Sequence, residues 1–163
     1  MSELKETIKV KCPRHYVMHH AERYFSVHRR DVAPGTIALK VDLSSLKLPG
    51  ATQARHDVRV QHQLVGKGGE PDALSLSWDP EDKTVPRFAG MLESAQADAG
   101  NSILILEGAY EPPFALVGAA FDAVVGKRIA SATLRSLLED MREFIEKDFQ
   151  TALATNLADS PKD

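Results

Sequence analysis

The clearest periodic pattern in the chain lies between residues 51 and 65, where apolar and polar side chains alternate. One face of this stretch carries Ala54, His56, Val58, Val60, His62 and Leu64. A two-residue period with one polar face is typical of an antiparallel strand. Shorter runs of the same kind predict further strands at 7–10, 36–43, 73–78, 85–95 and 102–110. Residues 103–106 are apolar on both faces, which indicates a strand in the interior of the sheet.

Two other stretches show three- and four-residue spacing, which predicts helices. The first runs from Arg14 to about Arg30, as one or two short helices. The second follows Pro112-Pro113, where the strands end because proline cannot donate to a ladder, and continues to about Leu153.

The second helical stretch carries two apolar rows on nearly opposite sides. One row is Leu134, Leu137, Leu138, Met141, Phe144 and Ile145, and the other is Val117, Phe121, Val125 and Ile129. One straight helix cannot bury both rows against one sheet. We therefore expect either a break near Gly126 or a second row that meets another chain.

The order of elements is strand, short helices, about five more strands and a long helix. Sequential strands joined by tight turns form an antiparallel meander, and only the last helix is long enough to cover its concave face. The pattern predicts an α+β helix-grip fold, in which a curved antiparallel sheet of about six strands grips a long C-terminal helix. We expect one domain over residues 1–157 and a frayed tail at 158–163.

Several short segments sharpen this expectation. They are LEGAYEPP at 106–113, VGAAFD at 117–122, GKRIA at 126–130 and TLR at 133–135. Their sequences resemble those of uncharacterised bacterial members of the START/polyketide-cyclase (SRPBCC) superfamily. The resemblance implies a cavity between helix and sheet but no single activity, because that superfamily includes lipid carriers, cyclases, hormone receptors and stress proteins. The sheet is short for a lipid-transfer member, which argues against a sterol-sized tunnel.

The composition and charge of the chain limit the classes of partner that it can have. The chain of 163 residues is 43% hydrophobic and 26% charged, as in an ordinary globular protein. A net charge of −3 gives no broad basic field, so we expect no nucleic-acid partner. No apolar run approaches the roughly 20 residues of a membrane span. The single cysteine, Cys12, excludes an intrachain disulfide, and we expect a cytoplasmic protein.

Three residues are candidates for acid–base chemistry. His56 and His62 share the apolar strand face, where an imidazole can exchange a proton near neutral pH. We favour the interpretation in which each lies near an end of the strand and reaches solvent or a backbone carbonyl. Glu107 lies in an apolar run beside Ile105, and a buried carboxylate there is either a catalytic acid or a structural ion pair with Arg128 or Lys127. We favour the structural interpretation of Glu107.

A metal site and a cofactor site are both disfavoured. Cys12, His15, His19 and Glu22 are spaced three, four and three residues apart, so the last three could converge on one helix face. We interpret them as surface residues of an amphipathic helix, because such spacing often arises without a ligand. No metal and no cofactor is expected.

Three functions remain open. The first is binding of a small hydrophobic or amphipathic molecule in the cavity, the second a cofactor-free cyclase or dehydratase that uses the same cavity, and the third a homodimeric interaction module. The residues predicted to contact a ligand are Val58, Val60, Trp78, Phe88, Ile105, Tyr110, Phe114, Phe121, Leu134, Leu138 and Met141.

Overall fold

A computed structural model of the chain describes residues 2–27, 35–42, 53–67, 70–79, 85–111 and 123–159. In chain order these residues form β1 (Ser2–Val10), α1 (Arg14–Ser26), β2 (Thr36–Asp42), β3 (Gln53–Arg59), β4 (Gln61–Lys67), β5 (Glu70–Trp78), β6 (Arg87–Asp98), β7 (Asn101–Glu111) and α2 (Ala123–Asp159).

The described strands form two sheets in which every pair is antiparallel. Five strands are ordered β1-β7-β6-β5-β4, and β2 pairs with β3. The strand with two apolar faces, β7, is an interior strand, as predicted. Together with the long helix α2 this is the helix-grip arrangement expected from the sequence.

The stretch predicted as one strand over residues 51–65 is divided between the two sheets. β3 pairs with β2 and β4 pairs with β5, and Val60 stands between them. The N–H of Val60 donates to the carbonyl of Gly35 at 2.8 Å instead of to a ladder partner. The chain therefore changes sheets at this residue, which an alternating pattern cannot reveal.

Helix α2 runs without interruption from Ala123 to Asp159, and Gly126 lies inside it. Helix α2 begins three residues before Gly126, and residues 112–122 lie outside the described ranges, so a break just before this glycine stays a prediction. Ile129 is buried together with the row that contains Leu134 and Leu138, because the buried face is broad and Ile129 lies at its margin. Val117, Phe121 and the side chain of Val125 fall outside the described residues, so the alternative in which their row meets another chain also stays a prediction.

Both helices pack on the apolar inner faces of the sheets. Helix α1 contacts β4, β5, β6 and β7, and α2 contacts β1, β2, β7 and α1. The inner face of the five-stranded sheet contributes Leu4, Val10, Leu74, Leu76, Trp78, Phe88, Leu92, Leu104, Leu106 and Tyr110, all buried. Burying each such side chain contributes about 1.5–3 kcal/mol to folding.

Two glycines stand opposite each other in the middle of this inner face. Gly90 on β6 pairs directly with Gly108 on β7. A Cβ on Gly90 would lie 2.7 Å from Cζ of Phe88 and 2.8 Å from Cα of Gly108, and it would also meet the carbonyl oxygen of Glu107. The two strands can approach this closely, with the Phe88 ring folded over them, because neither position has a side chain.

Candidate functional site

A row of three aromatic side chains crosses the inner face of the five-stranded sheet. Trp78 pairs with Phe88, and Phe88 pairs with Tyr110, so the three side chains lie next to one another on β5, β6 and β7. All three are buried. The rings of Trp78 and Phe88 stack at a centroid distance of 4.8 Å and an angle of 29°. The row therefore forms a flat apolar surface beside the glycine pair.

The polar atoms of Trp78 and Tyr110 differ in whether they have a hydrogen-bond partner. The indole N–H of Trp78 donates to the carbonyl of Pro86 at 2.9 Å. The hydroxyl of Tyr110, a residue only 4% exposed, makes no hydrogen bond to any residue in the described part of the chain. An unsatisfied buried hydroxyl costs about 1–3 kcal/mol, so the position favours a partner other than the described residues.

Most of the residues predicted to contact a ligand face the interior. Those that are buried are Val58, Val60, Trp78, Phe88, Tyr110, Leu134, Leu138 and Met141. Their inward orientation is confirmed, whereas contact with a ligand stays a prediction. Phe114 and Phe121 lie outside the described residues.

The predicted orientation of Ile105 and Glu107 is wrong. Leu104 and Leu106 point into the core, so the two-residue period of β7 turns Ile105 and Glu107 to the outer face. The side chain of Glu107 is 58% exposed, and among the described residues it pairs with Lys5, at 4.0 Å, rather than with Arg128 or Lys127. Glu107 is therefore not a buried acid.

The carboxylate on the inner face is Glu6, which the sequence analysis did not single out. Glu6 pairs with Leu106 across the strands, and its side chain is 13% exposed. It accepts a hydrogen bond from Ser131 and lies 3.4 Å from Nη2 of Arg135, both on α2. Leu4, Glu6 and Ile8 alternate along the strand, which would have placed Glu6 on the inner face. The strand was predicted to begin only at residue 7, so Glu6 was left out of it.

His62 lies where β4 meets the end of α1. Its Nε2 is 3.0 Å from Oγ of Ser26 and 3.6 Å from Oε1 of Glu22, and Ser26 also donates to Glu22. Phe25 stacks on the imidazole ring at 5.7 Å. A half-buried imidazole beside a carboxylate and a hydroxyl has the groups needed for proton transfer. The side chain of His56, the other predicted histidine, lies outside the described residues.

The residues of the first helix whose spacing could suit a metal do not converge. His15 and His19 are exposed, whereas Cys12 is fully buried. Burial, assisted by the charge of Glu146, raises the pKa of the Cys12 thiol to about 12. Within the described ranges, no group of three or more His, Cys, Asp or Glu side chains is placed to hold a metal ion.

An open surface groove of about 470 Å³ lies away from the aromatic row. It is lined by Lys9, Lys11, Asn101, Arg142, Glu143 and Glu146. All six of these residues are polar or charged, and the charges are of both signs. None of the described helices is long and apolar enough to span a membrane. The cytoplasmic location stays a prediction.

Comparisons with known proteins identify the fold. No protein-family model and no curated protein matches the sequence. The di-domain ARO/CYC BexL from the BE-7585A biosynthetic pathway aligns with a TM-score of 0.52 at 11% identity, over 90% of this chain and 49% of that one. A conserved protein from Geobacillus kaustophilus aligns with a TM-score of 0.52 at 13% identity, over 93% and 97% of the two chains. At such identities the likeness concerns the fold alone.

A START superfamily protein from Mycobacterium smegmatis aligns at a lower TM-score of 0.47, with 12% identity over 92% of this chain and 98% of that one. The two alignments with TM-scores above 0.5 show a fold shared with an ARO/CYC domain, as the sequence resemblance predicted. This chain spans about half the length of the di-domain protein.

Proposed function

We propose that this protein binds a small hydrophobic or amphipathic molecule between the inner sheet face and helix α2, against the row of Trp78, Phe88 and Tyr110. The observation that carries the proposal is the buried hydroxyl of Tyr110, which has no hydrogen-bond partner within the described chain. A polar group of the ligand would satisfy it.

The chemistry of the row restricts the ligand. The stacked rings of Trp78 and Phe88 offer a flat apolar surface, which suits a planar or extended apolar body. Tyr110 adds one directional hydrogen bond, as donor or acceptor. Ligand sites of this kind combine a mostly apolar lining with a few polar groups that orient the ligand. A START/polyketide-cyclase-like fold is compatible with this role.

Displacement of a fluorescent dye, anilinonaphthalene sulfonate, tests the proposal with two probes of equal shape, naphthol and methylnaphthalene. We expect the wild-type protein to bind naphthol about fivefold more tightly, because one hydrogen bond contributes about 1 kcal/mol. In Tyr110→Phe the two probes should bind equally.

Tyr16→Phe is the matched control, because Tyr16 is 54% exposed on α1 and should leave the preference for naphthol intact. The proposal fails if the dye does not bind saturably, or if Tyr110→Phe keeps the preference of the wild type.

A second candidate function, a cofactor-free enzyme of the cyclase or dehydratase kind, is favoured by the contacts of His62 with Ser26 and Glu22. In such an enzyme His62 would act as the general acid or base. Nitrobenzisoxazole, whose ring opens when a base removes one proton, is a suitable probe.

We expect the wild type to open the probe faster than free imidazole does, and His62→Gln to lose that advantage. His15→Gln is the control, since His15 is exposed on α1. Equal rates in all three proteins would exclude this role for His62.

A further inference from the structure

The inner face of the five-stranded sheet reaches the surface at its edge strand, β4. Leu64 of β4 pairs with Leu74 of β5, so the two side chains lie on the same face. Leu74 and its own partner on β6, Leu92, are fully buried, whereas Leu64 is 39% exposed. An apolar side chain of the inner face is therefore accessible from outside at this edge.

His62 lies on the same face of β4, two residues before Leu64, and connects this edge to the end of α1. Apart from the stacked ring of Phe25, its contacts with α1 are polar. Its Nε2 atom lies 3.0 Å from Oγ of Ser26, the last residue of α1, and 3.6 Å from Oε1 of Glu22. The side chains of His62 and Glu22 are 20% and 27% exposed, so water competes for these contacts. The contact between α1 and β4 can therefore open without unfolding either element.

The row of paired residues that begins at His62 leads to the aromatic row. His62 pairs with Leu76, and Leu76 pairs with Gly90 of the glycine pair. Gly90 lies on the same face as Phe88, two residues away. Because neighbouring strands are about 4.8 Å apart, the glycine pair begins about 10 Å from β4. Between His62 and the glycines this row contributes one side chain, that of Leu76.

We propose that a ligand reaches the aromatic row between the end of α1 and strand β4, and that the contacts of His62 with Ser26 and Glu22 close this route. The inference rests on the binding function proposed above. We call the opening bordered by His62, Leu64 and Ser26 the entrance. Leu64 offers the apolar body of the ligand its first contact there. When the imidazole moves away, water solvates the polar groups that it leaves.

The rates of naphthol binding test the entrance. Trp78 is the only tryptophan of the chain and belongs to the aromatic row, so quenching of its fluorescence in a stopped-flow instrument reports arrival at the row itself. A closing contact is present in the free and in the bound protein and is broken only during passage. His62→Ala should therefore raise the association and dissociation rates by the same factor, about fivefold for one lost hydrogen bond, and leave the Kd unchanged.

Ser131→Ala is the matched control. Ser131 donates to Glu6 and so connects α2 to β1, at the opposite edge of the same sheet. This variant should keep both rates of the wild type. Faster exchange in Ser131→Ala and not in His62→Ala would place the route at the other edge and overturn the proposal.

A larger side chain at the entrance should have the opposite effect. Leu64→Tyr narrows the entrance and should slow association and dissociation together, a result that does not depend on how well His62→Ala folds. Val65→Tyr is its control, because Val65 is 46% exposed on the other face of the same strand, and it should exchange naphthol like the wild type.

The outcomes separate this inference from the proposed function. If naphthol does not bind saturably, both fail. Saturable binding with wild-type rates in both His62→Ala and Leu64→Tyr would overturn the entrance alone and leave the binding function standing.

Discussion

The Nδ1 atom of His20 lies 2.6 Å from Oδ2 of Asp148, although 128 residues separate them along the chain. Nε of Arg23 donates to the same oxygen at 2.8 Å. The His20 side chain is 6% exposed and that of Asp148 17%. One largely buried carboxylate on α2 therefore joins helix α1 to helix α2. Helix α1 also contacts the inner face of the five-stranded sheet.

Replacing Asp148 by Asn should destabilise the protein at neutral pH by about 2 kcal/mol, because the amide keeps only one acceptor oxygen and lacks the charge that strengthens the hydrogen bonds from Arg23 and His20. Burial alone would raise the pKa of Asp148, but hydrogen bonds from Arg23 and His20, together with their charges, outweigh it and lower the pKa. A carboxyl group with a lowered pKa in the folded state stabilises it above the unfolded pKa, and this stabilisation is lost as pH falls through the folded pKa.

Urea unfolding of wild type and Asp148→Asn at a series of pH values measures this effect. The stability difference should be full near neutral pH and should shrink in acid. Asp57→Asn, on the exposed side of β3, is the control and should follow the wild type at every pH. A difference that does not change with pH would show that the charge of Asp148 is not responsible.

The pairing Gly90–Gly108 makes a second prediction. Gly90→Ala should destabilise by about 3 kcal/mol, because its Cβ would meet both the Phe88 ring and the backbone of β7. Gly100→Asn is the control: Gly100 has φ +85° and no atom near its missing Cβ, and asparagine tolerates that conformation, so about 1 kcal/mol or less is expected. Equal losses in denaturant unfolding would contradict the close approach of the strands.

The sequence predicted the antiparallel strands and the terminal helix because each repeats one period over many residues. The period alone could not orient β7, since Ile103 and Ile105 are as apolar as Leu104 and Leu106. Only pairing with neighbouring strands resolves this: Ile105 is opposite the exposed residues Thr7 and Glu93. Because side chains alternate between the two faces of a strand, an error of one residue exchanges the buried and the exposed face. That error placed Glu107 in the predicted core instead of at the surface.

The clusters of polar side chains could not be predicted from the sequence for a different reason. Ser26 and His62 are 36 residues apart, and His20 and Asp148 are on different helices. Local spacing relates residues of one helix or strand, whereas these contacts depend on how α1 is placed on the sheet and on α2. His15, His19 and Glu22 do lie on one helix, α1, as their spacing predicted. The carboxylate of Glu22, however, contacts His62 on strand β4.

Cys12 should resist thiol reagents in the folded state. It is fully buried, and burial raises its pKa to about 12, so a reactive thiolate is scarce. Labelling with an aromatic disulfide should therefore require opening of the structure. Asp148→Asn should increase the labelling rate about tenfold for each 1.4 kcal/mol of lost stability. Rapid stoichiometric labelling of the folded wild type would contradict the buried position.

Two glutamates on adjacent strands provide a direct test of which carboxylate stabilises the contact between sheet and helix. Glu6 is largely buried under α2 and receives a hydrogen bond from Ser131, whereas Glu107 is 58% exposed on the opposite face. Glu6→Ala should destabilise by about 1–3 kcal/mol, because Ser131 loses its acceptor.

Glu6→Gln keeps an oxygen that can accept from Ser131 and should recover part of that loss. Glu107→Ala should change the stability by less than about 0.5 kcal/mol, because an exposed ion pair with Lys5 at 4.0 Å contributes little. The measurement is urea unfolding of all three variants in parallel. If Glu107→Ala proved the more damaging, the inner face of β7 would have to be the one that carries Ile103 and Ile105, and the aromatic row with Tyr110 would then point to solvent.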